Sequence, residues 1–207
     1  MRGIKRLHSS CPISVIFDSG VTGTTPNSDE YKDYMDLRRN LGYKEIKSRT
    51  YETYGDTIFR WMNSESSDYA DPNTQSIVLK LEHNSGGSCL LAGDTNFRPW
   101  KEKILPFYGE RVKSNIFLAP HHGSLTFFDD PSDSQQYVAH IKIINPEMTL
   151  ISVGPNVNDL PDKKAVELYT KYSTGSNQGD KVFTTQDKGN MRLVLKDNGT
   201  WELHSHQ

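Results

Sequence analysis

The alternation of apolar and polar residues is clearest in residues 76–94, where the run SIVLKLEH is followed by a Gly-Gly pair and a second apolar run, SCLLA. Ile77, Leu79 and Leu81 recur at every second position, which is the period of a strand with one buried face. A glycine-containing turn between two such runs is typical of a hairpin. The pattern therefore predicts a β-hairpin over residues 76–94.

Short apolar runs bounded by turn residues predict further strands along the chain. They lie at 13–20, around a Tyr-Gly-Asp turn within 43–62, at 115–119, at 148–154, and as three strands within 181–204 that turns at 187–190 and 197–199 separate. The polar run at 64–75 is predicted as a loop.

Segments with helical spacing lie between the predicted strands. The first spans 28–42, where Ser28 is placed to cap a helix and a glycine to end it. Another is part of 98–110, interrupted by Pro106, and an amphipathic helix spans 163–173. Because helices punctuate the strands throughout, we expect an α/β fold of packed layers rather than a β-sandwich or a helical bundle.

The length and composition are those of a globular chain. With 207 residues, 34% of them hydrophobic and 24% charged, we expect a single domain over residues 1–207. Apolar runs such as MTLISV are far shorter than the roughly 20 residues of a transmembrane helix. We therefore expect no membrane span, no signal peptide and a cytoplasmic protein.

The net charge bears on nucleic-acid binding, and the cysteines bear on the redox compartment. The formal net charge is −2 at pH 7, so the chain has no global basic field to hold a nucleic-acid backbone, and a polyanionic substrate would need a local patch. Cys11 and Cys89 lie far apart in the sequence. Since nothing else indicates an oxidising compartment, we expect both to be free thiols.

Two motifs with polar side chains stand where predicted buried strands end. The run LLAGDT places Asp94 after the second strand of the hairpin, and APHHGS places His121, His122 and Ser124 after the strand at 115–119. Proteins of the α/β class bind ligands at the carboxyl ends of their strands. Imidazole together with carboxylate is a ligand set for zinc, manganese or iron. The two motifs together predict a metal-type site at one edge of the sheet.

Each motif also has a purely structural interpretation. Asp94 would then cap the turn that follows it, one histidine of the pair would pack while the other is exposed, and Ser124 would cap a helix rather than bind a phosphate or orient a ligand. The distance between the Asp94 carboxylate and the imidazoles distinguishes the metal-site interpretation from the structural one. If the motifs form one site, a carboxylate oxygen of Asp94 lies within about 3 to 5 Å of an imidazole nitrogen of His121 or His122.

The order of these motifs, together with the later runs INPEMTLISVGPN and KVFTTQDKGNMRLVLKDNG, resembles the metallo-β-lactamase fold and, within it, the ComEC/Rec2-like branch of metallohydrolases. The resemblance covers roughly residues 73–200. It implies a four-layer αββα sandwich with a metal site at the edge of two facing sheets. It also implies hydrolysis of a phosphodiester or related ester, with zinc or manganese as cofactor and a phosphodiester or nucleic acid as substrate.

The resemblance assigns roles to the strand-end residues. Asp94 matches the bridging aspartate, whose two oxygens each bind one ion, so it is the candidate catalytic residue and a metal ligand. His121 or His122 matches the late histidine ligand, with His121 preferred because it comes first after the strand. Ser124 is the candidate substrate-binding residue on its own chemistry rather than by the resemblance, because its hydroxyl can bind a phosphate or orient a ligand. In an intact relative, a metal-bound hydroxide would attack the phosphorus.

The sequence departs from the family at two places. The early His-x-His-x-Asp-His motif is absent, since no histidine lies between His8 and His83. Leu160 stands where the family commonly has a histidine before a proline. A catalytic zinc usually has three protein ligands and an open position, so we expect an incomplete metal site. Three interpretations stay open: a chain incomplete on its amino-terminal side, a non-catalytic binding or regulatory module that retains the fold, and a half whose exposed sheet a partner chain or another copy covers.

The remaining histidines and the tryptophans are predicted to carry no chemistry. His83 in the hairpin turn and His140 in a helix are predicted as ordinary surface residues, and the run HSH at 204–206 as a frayed terminus. The tryptophans are predicted to pack in or around the core; they are Trp61, Trp100 and Trp201.

Overall fold

The chain divides into two compact units, Met1–Lys47 and Ser48–Gln207. The computed structural model describes residues 3–22, 28–63, 71, 73–154, 159–175 and 180–206. Most of the predicted loop at 64–75 lies outside these residues. The strand-end residues of both motifs belong to the larger unit.

The smaller unit combines short strands with helices. Its elements are α1 (Ile4–Ser10), β1 (Phe17–Asp18), α2 (Asp29–Leu41) and β2 (Lys44–Glu45), and β1 pairs with β2 in parallel. The helix predicted at 28–42 is confirmed, with Ser28 and Gly42 at its two ends. The strand predicted at 13–20 is only two residues long, and α1 was not predicted.

A buried ion pair between Asp18 and Arg38 connects β1 with α2. Arg38 Nε lies 2.9 Å from Asp18 Oδ2, and the hydroxyl of Tyr34 donates to the same oxygen. The guanidinium carbon of Arg38 lies 3.6 Å from the ring centroid of Tyr43. Burial, together with the bond to Asp18, raises the pKa of Tyr34. These partners offset the cost of burying two charges, which explains why an arginine is the buried side chain of α2.

The larger unit is built on a seven-stranded sheet with the order β3-β4-β5-β6-β7-β8-β9. The strands are β3 (Thr50–Tyr54), β4 (Thr57–Asn63), β5 (Val78–His83), β6 (Ser88–Leu91), β7 (Ile116–Leu118), β8 (Met148–Ile151) and β9 (Val182–Thr184). Neighbours from β3 to β6 are antiparallel, and neighbours from β6 to β9 are parallel. The hairpin predicted at 76–94 is confirmed as β5 and β6, with Leu79 opposite Leu91.

Different elements cover the two faces of this sheet. On one face, buried strand residues pack with helical residues: Val78, Leu90, Phe117, Ile151, Trp100, Ile104, Ile141, Ala165 and Tyr169. On the other face, strand residues pack against a separate antiparallel hairpin of β10 (Asn190–Leu195) and β11 (Trp201–His206): Cys89, Ile116, Met148, Leu150, Leu193, Trp201 and Leu203. Burying one large apolar side chain stabilises the fold by about 1.5–3 kcal/mol. The predicted α/β class is confirmed.

Helices on the first face follow the parallel strands. They include α5 (Ala139–Ile144) and α6 (Lys163–Tyr172), whose buried hydrophobic residues belong to the core of this face. The short α7 (Thr185–Lys188) follows β9. The helix predicted at 163–173 is confirmed as α6, and Ala165 and Tyr169 are its buried residues. None of the helices in the described ranges combines the length and the apolar character that a membrane span requires.

Residues 97–108 form one helical run in which the type of helix changes, and Gly109 ends it with a φ of 49° before a 3-10 turn. The order is α3 (Phe97–Pro99), a π-helical turn (Trp100–Ile104), α4 (Leu105–Tyr108) and a 3-10 turn (Gly109–Val112). The prediction that Pro106 interrupts the helix is wrong. In a regular α-helix the proline ring collides with the carbonyl four residues earlier, and the wider π turn directly before it leaves room for the ring.

Three expectations about single residues are corrected by the structure. His140 is fully buried rather than exposed, because it packs against Phe127. His83 is half-buried, with Nδ1 2.6 Å from Ser85 Oγ. The terminal run HSH is paired in β11 rather than frayed, with His204 opposite Arg192.

The tryptophan and cysteine predictions agree with the structure. Trp61 and Trp100 are buried, and Trp201 packs half-buried in the core beneath the hairpin. Cys11 is exposed and Cys89 is buried, and both are free thiols.

Candidate functional site

The candidate site lies where the parallel strands β6, β7 and β8 end. Because these strands run in one direction, the loops that follow them leave the sheet at the same edge. The loop after β6 carries Asp94, and the loop after β7 carries His121, His122 and Ser124. We call this edge, with its loops, the carboxyl edge.

A backbone hydrogen bond joins the loops of the two motifs. The N–H of His121 donates to the carbonyl of Gly93 at 3.0 Å. The residue that follows Gly93 is Asp94. The side chains of Asp94 and His121 therefore belong to two backbone segments that this hydrogen bond holds together. The sheet register thus brings together two motifs that are 27 residues apart between Asp94 and His121.

Asp94 follows a glycine that closely approaches the segment before β5. Gly93 has a φ of +57°, and a Cβ there would lie 3.0 Å from the Ile77 carbonyl oxygen and the Ser76 Cβ. The N–H of Asp94 donates to Ser76 Oγ at 3.2 Å. The cap of α3 is Asn96, whose side chain accepts the Arg98 N–H at 3.0 Å. Asp94 is therefore not the cap of α3. The half-buried carboxylate of Asp94 accepts no hydrogen bond from a described residue.

The two histidines adopt a backbone conformation that non-glycine residues rarely accept. His121 has φ 47° and ψ 45°, His122 has φ 55° and ψ 30°, and Gly123 follows with φ +79°. A left-handed conformation costs an L-residue roughly 1–2 kcal/mol, and it is found most often where function requires it. Two such residues in succession, both histidines, favour a functional interpretation of the turn.

Each imidazole uses its Nδ1 atom for a contact within the protein. His122 Nδ1 lies 2.7 Å from the carbonyl oxygen of Ser152, and His121 Nδ1 lies 3.4 Å from Thr126 Oγ1. A carbonyl oxygen only accepts, so Nδ1 of His122 carries the proton and Nε2 keeps its lone pair. A backbone carbonyl orients histidine ligands of metals in the same way. His122 is exposed and His121 half-exposed, so both rings are accessible from solvent.

Ser124 is buried and caps the short 3-10 turn at Leu125–Phe127. Its Oγ accepts the Thr126 N–H at 3.3 Å and the Thr126 hydroxyl at 3.2 Å. The capping interpretation of Ser124 is therefore confirmed. Its role in substrate binding stays a prediction.

The donors at the carboxyl edge are of the right type for zinc or manganese, but they do not fit a catalytic site. Across the described ranges, no group of three or more His, Cys, Asp or Glu side chains is placed to hold a metal ion. A catalytic zinc usually has three protein ligands. Leu160 packs its apolar side chain against the core and adds no group that could bind a metal.

A polar cavity of about 520 Å³ lies at the opposite edge of the sheet, where β6 and β7 begin. The buried Lys80 Nζ lies 2.9 Å from Glu82 Oε1. Asn115 Nδ2 donates to Glu147 Oε1 at 2.6 Å, and Trp201 Nε1 donates to Glu147 Oε2 at 2.9 Å. Because these groups pair with one another, a structural role at this edge of the sheet accounts for them.

Sequence reasoning did not identify three groups that hold the histidine turn. They are the Ser152 carbonyl, the Thr126 hydroxyl and Asp162. A carbonyl has no sequence signal, and a threonine five residues after a histidine has only a weak one. An aspartate directly before a helix, as Asp162 is before α6, is typical of a helix cap. The sequence therefore does not indicate that its carboxylate accepts the N–H of Leu125 instead.

No protein-family model matches the sequence, and no curated protein matches it. The assignment of function therefore depends on the motifs and on the geometry of the carboxyl edge.

Proposed function

We propose that this chain is a metallohydrolase-like protein of the metallo-β-lactamase fold, ComEC/Rec2-like branch, that carries only part of the family's metal site. The family activity is hydrolysis of phosphodiesters or related esters, with zinc or manganese as the cofactor. The observation that carries the proposal is the His121 N–H bond to the Gly93 carbonyl, which joins the aspartate and histidine motifs at one sheet edge.

The layers of the larger unit support the same assignment. A helical layer, a seven-stranded sheet and a second sheet of β10 and β11 follow one another. This order corresponds to three successive layers of an αββα sandwich. The Nδ1 contacts of both histidines add support, because they leave each Nε2 available to a ligand.

The proposed site is incomplete, so we expect weak zinc binding and no hydrolysis by the chain alone. Asp94 and the two histidines supply the donors, and the described residues do not complete a three-ligand group. The test is titration of the chain with zinc and with manganese, followed by assay with bis(p-nitrophenyl) phosphate, a simple phosphodiester. We expect background turnover, and weak zinc binding that Asp94→Ala and His121→Ala each reduce further.

Two results would contradict this proposal. Turnover that Asp94→Ala abolishes would show that the site is complete. Zinc binding that is unaffected by Asp94→Ala and His121→Ala would remove the carboxyl edge as the metal site. His204→Ala is the matched control, because His204 lies in β11 of the separate hairpin and outside the motifs.

A second candidate is a non-catalytic binding or regulatory module that retains the fold. The lack of a three-ligand group among the described residues, together with the packing of the half-buried Leu160 against the core, favours it. Metal analysis after reconstitution separates the candidates. Zinc or manganese in near-stoichiometric amounts would contradict a module that binds no metal. A partner chain that completes the site would instead be revealed by light scattering as an obligate oligomer.

A further inference from the structure

Asp162 contacts the turn of the two histidines from both sides. Its Oδ2 accepts the N–H of Leu125 at 2.7 Å, and its own N–H donates to the carbonyl of Gly123 at 3.1 Å. Asp162 and Leu125 are 37 residues apart in the sequence. Two hydrogen bonds therefore connect one residue to the segment that directly follows His121 and His122.

The carboxylate of Asp162 is used for this contact and not for its own helix. Asp162 occupies the N-cap position of α6, where an aspartate usually accepts an N–H of the first helical turn. No side-chain cap bond is present at this helix start. The fold thus leaves the start of α6 without that bond and places the carboxylate against the histidine turn.

The side chains that pack against Gly123 lie too close for a residue with a Cβ at this position. A Cβ at Gly123 would lie 2.7 Å from Pro161 Cβ and 3.1 Å from Ile151 Cγ2. The segment of Pro161 and Asp162 therefore interlocks with the turn. Such surrounding contacts are what a left-handed pair of histidines needs in order to persist.

We propose that Asp162 is a positioning residue, which holds the turn so that His121 and His122 keep their Nδ1 contacts. The link is short: Leu125, which Asp162 binds, is followed by Thr126, whose hydroxyl contacts His121 Nδ1. The inference rests on the proposed function only for the use of the imidazoles.

Three substitutions at one position test the role. Asp162→Asn keeps an oxygen acceptor, Asp162→Ala removes it, and Asp162→Ser keeps a good cap residue for α6 but is one atom shorter toward Leu125. The readouts are the hydrogen exchange of the Leu125 amide and the tautomer of His122, read from ring nitrogen shifts by NMR at about pH 8.5, where histidine is neutral.

We expect the Nδ1–H tautomer of His122 in the wild type and in Asp162→Asn. In Asp162→Ala and Asp162→Ser we expect a tautomer mixture and exchange at Leu125 that is roughly tenfold to a hundredfold faster, as for loss of a hydrogen bond to a charged group. Unchanged tautomers in folded Ala and Ser variants would overturn the inference. If those variants do not fold, an Nε2–H tautomer of His122 in the wild type would overturn it equally.

The outcome is independent of the zinc test. Loss of the tautomer with no zinc binding would support Asp162 as a positioning residue while contradicting the metal site. Zinc binding by the wild type, together with an unchanged His122 tautomer in Asp162→Ala and Asp162→Ser, would support the metal site while contradicting Asp162 as a positioning residue.

Discussion

The ring of His140 lies on the ring of Phe127, with centroids 3.8 Å apart and planes 3° from parallel. His140 Nε2 is 2.6 Å from the Phe127 carbonyl oxygen, and Nδ1 accepts the N–H of Ile141 at 2.7 Å. The neutral ring therefore has both nitrogens satisfied in a fully buried position. Burial lowers the pKa of His140 to about 3, and the bond to the Phe127 carbonyl opposes that shift only in part.

This lowered pKa predicts a loss of stability in acid. The unfolded chain takes up the proton near the ordinary histidine value of about 6.5, and the folded chain does so only near 3. Between these values the unfolded state binds more protons, so the free energy of unfolding falls as the pH is lowered through this window. The stabilising contribution of His140 to the free energy of unfolding is fully present above about pH 6.5. We expect His140 to account for a loss on the order of a few kcal/mol, measured by urea unfolding at several pH values.

His140→Phe is the control for that pH dependence. Phenylalanine can keep the stacking on Phe127 but has no group that titrates. The variant is expected to be less stable at neutral pH, because the Phe127 carbonyl loses its donor. Its pH profile should be flatter than that of the wild type between about 6.5 and 3. Parallel profiles would contradict the assignment of the acid sensitivity to His140.

Features that depend on adjacent residues could be predicted from the sequence, and features that depend on contacts between distant residues could not. The β5–β6 hairpin and α6 were predicted because their alternation, turn and helical spacing are contained in adjacent residues. The site motifs were identified because strand ends carry them. The burial of His140 was missed because Phe127, 13 residues away, determines it. The bond from Asp162 to Leu125 was missed for the same reason.

Gly123 is expected to tolerate no side chain. In Gly123→Ala, the added Cβ would lie 2.7 Å from Pro161 Cβ in a backbone with φ +79°. The left-handed conformation alone costs about 1–2 kcal/mol, and the overlap adds to it. Gly55→Ala is the matched control, since Gly55 has φ +57° with no atom within 4 Å of a Cβ. Urea unfolding should show a clearly larger loss at 123 than at 55, and equal losses would argue against the interlock.

The two thiols are expected to differ in reactivity. Cys89 is buried between the sheet and the β10–β11 hairpin, and burial raises its pKa to about 12. Since the thiolate is the reactive form, Cys89 should not react with a thiol reagent in the folded chain. Exposed Cys11 should react at once. Mass spectrometry after labelling tests this, with labelling in denaturant as the control. Rapid labelling of Cys89 in the folded chain would mean that the hairpin opens.

The left-handed backbone at His122 predicts an inverted order of glycine and alanine. In a helix, glycine is about 1 kcal/mol less stable than alanine, because its unfolded chain has more freedom. At position 122, with φ 55° and ψ 30°, alanine keeps the steric cost of the left-handed region and glycine does not. Both variants lose the Nδ1 bond to Ser152, so the comparison between them isolates the backbone.

We therefore expect His122→Gly to be more stable than His122→Ala by about 1 kcal/mol in urea unfolding. The exposed Glu167 in the middle of α6 supplies the opposite case, where Glu167→Gly should be less stable than Glu167→Ala by a similar amount. If alanine were the more stable residue at both positions, the turn would not hold His122 in the left-handed region. The inverted order at 122 alone would show that the fold holds the backbone at this position in the left-handed region, against its cost to a residue with a Cβ.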